Sequence, residues 1–234
     1  MKIAEMNVDL IDHMGTDLSV VNAARVSFDK ESYMEFEEVG HPATLRYFLG
    51  DKDTKLIKYL ADHNHWSPFA HTSIQLRVKA PVFVARQLVK HTVGGVWNEV
   101  SRRYVDSEPE FWFPDQWRGR PEGSMKQGSS GVIEPLASSS VMGGMWLPTD
   151  VVTLCLDQYL NLLQQGVAPE QARMILPQNT MTEWYWTGSL MFFCRVCRER
   201  LAPGAQQETR EVAERIVEKI APLFPVSWSA LMEA

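Results

Sequence analysis

The sequence predicts an α+β fold, and three observations carry that prediction. Residues 72–79 alternate strictly, with Ile74, Leu76 and Val78 on one side and Ser73, Gln75, Arg77 and Lys79 on the other, the two-residue period of a half-buried strand. Residues 97–104 admit the same period, with polar side chains on both sides. From residue 150 onward the apolar spacing turns helical. The 234 residues are 45% hydrophobic, enough for one domain with a sizeable core, and residues 1–234 are read as a single domain.

Taken in order, residues 1–11 alternate loosely and suit an edge strand. Residues 17–26 form a short helix capped by Thr16 or Asp17. Residues 42–63 hold helical spacing through Leu45, Phe48, Leu56, Tyr59 and Leu60, with a break near Gly50. A turn at His65 to Phe69 leads into the strand at 72–79, and Pro81 opens a helix reaching about His91. Gly94-Gly95 permits a tight reversal before the extended run at 97–104. Residues 107–148 are dense in Gly, Pro and Ser, and about 119–147 reads as a flexible insertion within the domain. Helices then follow at 150–165, stopped by Gly166, at 169–176, stopped by Pro177, and at 190–200 and 205–220. In the last, Glu211 and Arg215 sit in the favourable i,i+4 order.

The formal charge of −6 argues against nucleic acid or an anionic membrane as a partner. Three cysteines are too few for a disulfide framework and suit a reducing compartment. The acidic residues Asp9 and Asp12 break any N-terminal leader pattern, and the apolar stretch at 184–194 is too short for a span, so the expected location is the cytoplasm. His63, His65 and His71 lack a completing ligand, so no metal is expected. Cys194 and Cys197 lie within a helix and read as structural. No P-loop and no G-x-G-x-x-G is present, so a bound nucleotide or flavin needs a non-Rossmann fold.

The segment 90–104 concentrates the chemistry. It gathers cations, a histidine, a carboxylate, a hydroxyl and an amide around Gly94-Gly95, with a tryptophan among them. On the preceding helix Gln87, Lys90 and His91 share a face. If 97–104 is extended, Trp97, Glu99, Ser101 and Arg103 share one side, and Asn98, Val100, Arg102 and Tyr104 the other. The planar fork of Arg103 suits a phosphate. Arg173 and Arg200 stand out in apolar surroundings; each serves either as a C-terminal helix cation or as a ligand for phosphate or carbonyl oxygens. The set suits an anionic, planar, polar ligand such as a nucleotide.

These residues resemble the flavin-dependent thymidylate synthases. The family's R-H-R, seven residues, S pattern is present as Lys90-His91-Thr92, eight residues, Ser101, followed by Arg102-Arg103-Tyr104. Ala24 to Ser27 resembles its A-R-V-S, His65 to His71 its H-x-[ST]-P-F-E-H, and Pro81 to Gln87 its P-x-F-V-A-R-Q. Ala172 to Pro177, Trp186-Thr187 and Ala205 to Glu208 resemble A-R-x-x-L-P, W-T and A-Q-x-E. The resemblance implies an antiparallel sheet flanked by helices, a homotetramer with active sites shared between subunits, and FAD in each. It implies methylation of dUMP to dTMP, with methylenetetrahydrofolate as carbon donor and NADPH as reductant, and without a cysteine nucleophile.

By position the resemblance assigns Gln87, Glu99, Ser101, Arg102, Arg103, Arg173 and Arg200 to dUMP, with Arg103 on the phosphate and Arg173 reaching in from a neighbouring subunit. Ser27, His65, Ser67, Lys90, His91, Thr92, Asn98, Glu99, Ser189 and Arg195 fall to FAD, and Arg200, Ser101 and His91 to catalysis. Departures lie on the flavin and folate side: Lys90 and Thr92 replace arginines, one residue is added before Asn98, and Ala70, Ser189, Met191, Arg195 and Gly204 stand where the family usually has other residues. This drift is read as marking a divergent, phage-associated branch. It keeps two alternatives open, a related flavin-dependent enzyme such as one that hydroxymethylates a pyrimidine nucleotide, and a non-catalytic nucleotide-binding homologue.

Overall fold

The computed structural model describes residues 1–41, 43–121, 128–134, 138–139 and 145–234, the pair 138–139 by backbone alone. In chain order the first elements are β1 (Lys2–Ile3), β2 (Asn7–Met14), α1 (Asp17–Arg25), β3 (Glu35–Val39), β4 (Thr44–Phe48) and α2 (Asp51–Asp62). Next come β5 (Ser73–Pro81), α3 (Val82–Leu88), β6 (Gly95–Glu99), β7 (Glu110–Phe111), β8 (Trp117–Gly119) and β9 (Ser130–Ile133). The remainder is β10 (Ser138–Ser139), β11 (Met145–Trp146), α4 (Pro148–Gln164), α5 (Pro169–Ala172), β12 (Met181–Gly188), α6 (Leu190–Leu201), α7 (Gln207–Ile220) and α8 (Pro225–Glu233).

The central sheet has the order β2-β5-β12-β6 and is antiparallel throughout. Its core face is apolar: Ile74, Leu76, Val78 and Ala80 from β5 and Trp184 and Trp186 from β12 are all buried. Its other face is polar, where Arg77 pairs with Glu183 at 2.8 Å and Gln75 donates to Thr187 at 3.3 Å. Helices α1, α2, α6, α7 and α8 contribute buried residues to the same core. The most enclosed helix is α6, with Phe192, Phe193, Cys194, Val196 and Cys197 all buried. Burial pushes the thiols of Cys194 and Cys197 up, so neither is a thiolate at neutral pH, in keeping with a structural part.

Three glycines explain local geometry. Gly94 takes φ +84°, the left-handed turn that lets the chain reverse into β6. Gly95 faces Gly188 across the β6–β12 ladder, and the Phe192 ring packs where a Cβ on either would stand. A buried acid ties the ends of the chain together. The Asp17 carboxylate, at the start of α1, accepts from the Val226 N–H at 3.0 Å and the Ser227 N–H at 2.8 Å, satisfying the free amides that begin α8.

Most elements fall where the sequence places them, and three differ. Within 43–49 the chain is a strand of the β3–β4 hairpin, not a helix, and the helix starts only at Asp51. Leu45 and Phe48 satisfy a helical spacing, but the cross-strand ladder from Glu35↔Phe48 to Val39↔Thr44 takes the backbone groups. Residue 42 lies outside the described residues. The extended run ends at Glu99; residues 102–104 turn, with the Tyr104 N–H on the Ser101 carbonyl at 3.0 Å. Helix α3 stops at Leu88, and His91 lies in the turn beyond, its N–H on the Leu88 carbonyl at 3.1 Å. The described parts of the insertion form the β8–β9 and β10–β11 pairs; the flexible reading of 122–127, 135–137 and 140–144 falls outside the described residues. Strand β12 and helix α8 were not anticipated. No helix among the described residues is long and apolar enough to cross a membrane.

Candidate active site

Short helix α3 buries Val84, Ala85 and Leu88 and leaves Gln87 on the polar side. Beyond its end, His91 meets Arg200 from the last turn of α6. The Arg200 Nε–H donates to His91 Nε2 at 2.9 Å. A guanidinium only donates, so Nε2 is the acceptor and the imidazole is neutral with its proton on Nδ1. Burial lowers the His91 pKa most, and the charge of Arg200 lowers it further, against an opposing pull from Glu199. Glu199 lies 3.7 Å from the Arg200 Nη2 and is largely exposed, so it offsets little of the charge there.

Gln87 heads a chain of side-chain hydrogen bonds. Its Nε2 donates to Gln206 Oε1, and its Oε1 accepts from the Thr209 hydroxyl at 3.3 Å. Gln206 Nε2 donates to Glu208 Oε2 at 2.8 Å, and Arg118 Nη2 pairs with Glu208 Oε1. Glu208 is buried. Burial alone would raise its pKa, but the hydrogen bonds from Arg118 and Gln206 outweigh that and hold the carboxyl below the usual glutamate range. Gln87, Arg118, Arg200 and Arg210 line a cavity of about 880 Å³, an arginine-rich polar space despite the chain's net negative charge.

Residues 99–107 form part of a second cavity, of about 580 Å³. Glu99, Arg102 and Arg173 line it, together with Thr182. Glu99 is held by the Thr182 hydroxyl at 2.7 Å and the Trp97 Nε1–H at 3.3 Å. Trp97 itself stacks on Trp184, ring centroids 4.1 Å apart. Arg102 donates to the Ser107 carbonyl at 2.8 Å, and Arg173 to the Glu170 carbonyl at 3.2 Å. Arg103 instead lies over the ring of Tyr104, 5.0 Å from its centroid, with its Nε–H on the Ser101 hydroxyl at 3.2 Å.

A third cavity, of about 570 Å³, is bounded by Trp66, Phe69, Ala70, Ser189, Met191 and Arg195, with Gly94 and Arg198 on its wall. Arg195 Nη2 donates to the Val93 carbonyl at 2.7 Å, anchoring the Gly94 turn to α6. Ser189 caps α6 by accepting from the Phe192 N–H at 3.2 Å. Adjoining it, Lys90, His91, Thr92 and Arg195 line a smaller hollow of about 210 Å³.

The predicted residues therefore gather into groups. Gln87 and Arg200 share one cavity; Glu99, Arg102 and Arg173 share another; Lys90, His91, Thr92, Ser189 and Arg195 line the third and its side hollow. His65 and Ser67 are exposed beside Trp66 in the chain, and Asn98 is exposed on β6 opposite Tyr185. Ser27 is exposed on a 3-10 turn and lines none of these spaces. The single face proposed for Gln87, Lys90 and His91 is broken by the end of α3, which sends Gln87 and Lys90 into different cavities. Among the described residues no cluster of His, Cys, Asp or Glu is placed to hold a metal. Sequence reasoning missed Arg118 and the part played by Gln206 and Glu208. The A-Q-x-E block was visible but had no partner, and Arg118 sits among turn signals that offer no period to read.

An antiparallel sheet packed by helices thus carries two cavities lined by arginines and a more apolar one bounded by Arg195 and Arg198. The chain belongs to the family described as "Thymidylate synthase complementing protein", which matches residues 9–226. It is 38% identical to the flavin-dependent thymidylate synthase of Thermus thermophilus over 229 residues, 97% of this chain and 75% of that one. It is 37% identical to that of Anaplasma marginale, over 97% of this chain and 72% of that one. Among solved structures, the UMP/dUMP methylase PolB from Streptomyces cacaoi bound with 5-Br dUMP superposes with a TM-score of 0.78 at 27% identity, covering 100% of this chain and 97% of that one. The phage-associated branch read from the drifted motif finds no support among these relatives.

Proposed function

We propose that the protein converts dUMP to dTMP by reductive methylation, with FAD as bound cofactor and methylenetetrahydrofolate and NADPH as co-substrates. The observation that carries this is Arg200, which shares a polar cavity with Gln87 and donates to His91 on the neighbouring hollow, in a chain of this family. The flavin is supported by the third cavity, whose Trp66, Phe69 and Met191 suit a flat ring and whose Arg195 and Arg198 suit a diphosphate. Bound FAD would take electrons from NADPH and pass them to the pyrimidine.

In this reading Gln87 and Arg200 hold the pyrimidine end of dUMP. His91 occupies the Arg200 Nε, so the terminal N–H groups remain for a carbonyl oxygen, where they offset negative charge as C5 becomes nucleophilic. Arg103 binds the phosphate, and Arg102, Arg173, Glu99 and Ser101 make the other contacts with dUMP. Ser101 stays catalytic in the sense of touching the substrate. Lys90, His91, Thr92, Ser189 and Arg195 line the flavin, and Ser27, His65, Ser67, Asn98 and Glu99, which do not line that cavity within one chain, complete it from a neighbouring subunit.

Gln87 and Arg173 line separate cavities of one chain, which supports sites completed by neighbouring subunits, as in the homotetramer that the family pattern implies. The exposed apolar side chains Phe28, Tyr33, Phe36 and Tyr47 around the β3–β4 hairpin offer surface for such contacts. A second reading, action on UMP as well, is favoured by the likeness to the UMP/dUMP methylase PolB. Titration of the purified protein with dUMP and with UMP, read by a flavin absorbance change, tests both. A colourless protein, or one whose flavin band ignores both nucleotides, contradicts the proposal.

A further inference from the structure

The hydrogen-bond chain from Arg118 to Gln87 has a direction. Glu208 is held ionised and accepts only, so Gln206 must turn its NH₂ toward it. That leaves the Gln206 carbonyl oxygen facing Gln87, which must then answer with its own NH₂. The Gln87 oxygen is thereby left to the Thr209 hydroxyl. An amide is otherwise free to flip between two near-isosteric poses, and only its partners decide which it adopts. Here the partners trace back to one cation. Arg118 is fixed on β8 by its bond to the Ser129 hydroxyl of the facing segment at 2.9 Å. It reaches α7 from the stretch between β7 and α4, where none of the short family motifs in the sequence falls.

We propose that Arg118 and Glu208 are positioning residues for Gln87, acting through Gln206 to fix which way its amide faces the 880 Å³ cavity. The inference rests on the reading of Gln87 as a dUMP ligand. It adds that the segment between β7 and α4 takes part in substrate recognition by supplying the charge that anchors this chain. Arg118 lines the same cavity as Gln87, so a direct contact with ligand is the competing explanation that a test must separate.

A double-variant cycle on the full-length flavin-loaded protein separates them. Arg118→Ala should weaken dUMP binding about tenfold, the scale of one charge-assisted hydrogen bond, while leaving flavin content unchanged. In a Gln87→Ala background the same change should cost under about twofold, because the group it orients is gone. Arg118→Lys, which keeps the cation, should recover most of the affinity. An equal loss in both backgrounds overturns the proposal in favour of direct contact, and no loss in either overturns it outright. Should the wild type not bind dUMP, the functional reading fails, and a crystal structure of Arg118→Ala still decides this one. A Gln87 side chain shifted or flipped from its bond to Gln206 supports it, and an unmoved one overturns it. If Arg118→Ala does not fold, Glu208→Gln carries the same readouts, since it removes the charge while keeping the volume.

Discussion

Arg200 donates its Nε–H to His91 Nε2 at 2.9 Å, and that bond joins the last turn of α6 to the turn after α3. It fixes the imidazole as a neutral acceptor. It also makes the pairing sensitive to acid, because a protonated His91 has no lone pair for the arginine and repels its charge.

The pH dependence follows with a definite sign. The folded pKa of His91 lies below 6.5, mainly through burial and then through Arg200. The unfolded chain then binds more protons in the window below about 6.5, so stability falls as the pH drops from there to the lower folded value. Glu208 acts in the same sense at lower pH: its stabilisation is present above the ordinary glutamate value of 4.5 and is lost as pH falls through its depressed folded value. Thermal melting across pH should show the upper of these two steps vanish in His91→Asn. A step that survives the substitution assigns it elsewhere.

Asp17→Ala should destabilise the fold by about 1–3 kcal/mol, since it leaves the buried amide of Ser227 and the half-buried amide of Val226 without their acceptor. Asp17→Asn keeps an oxygen but loses the charge and should fall between. Chemical denaturation of the three proteins checks the order. A wild-type midpoint in Asp17→Ala contradicts the capping role.

Gly95→Ala and Gly188→Ala each place a Cβ inside the Phe192 ring. Each should cost about 1–3 kcal/mol by overpacking. Combined with Phe192→Leu, either should cost less than the sum of the separate changes, because the pair is in contact. Strict additivity would show that the glycines are needed for another reason.

How far the sequence reveals this molecule depends on whether a signal is local. Strand β5 is legible because its two faces differ in polarity at every step. Strand β12 alternates too, but Tyr185 puts an aromatic on the outer face and the strand runs into apolar α6 with little polar break, so it reads as one apolar stretch. The β3–β4 hairpin is hidden because Leu45 and Phe48, three apart, fit a helical spacing, and both strands are exposed at every position, so only the cross-strand ladder decides. At the site, Gln87, Glu99, Arg102 and Arg200 are visible as a motif with chemistry in it. Their division between cavities is not, because it depends on where α3 and β6 end. Arg118 is invisible for a stronger reason: its partner Glu208 lies 90 positions away along the chain.

Arg102→Ala and Arg103→Ala separate two candidates for the phosphate. Arg102 lines the cavity with Arg173, whereas Arg103 lies over Tyr104. If Arg103 turns onto the phosphate as the family pattern implies, Arg103→Ala weakens dUMP binding by about 1.5–3 kcal/mol. Calorimetric titration of both variants checks it. Unchanged affinity in Arg103→Ala moves the phosphate to Arg102.

The central claim is the reaction itself. Flavin-loaded protein incubated with dUMP, methylenetetrahydrofolate and NADPH, with the nucleotide pool read by mass spectrometry, tests it most directly. The expected product carries one added methyl group, co-elutes with dTMP and forms only with all three substrates present. A hydroxymethyl product, or dUMP recovered unchanged by a protein that binds both flavin and dUMP, would contradict it.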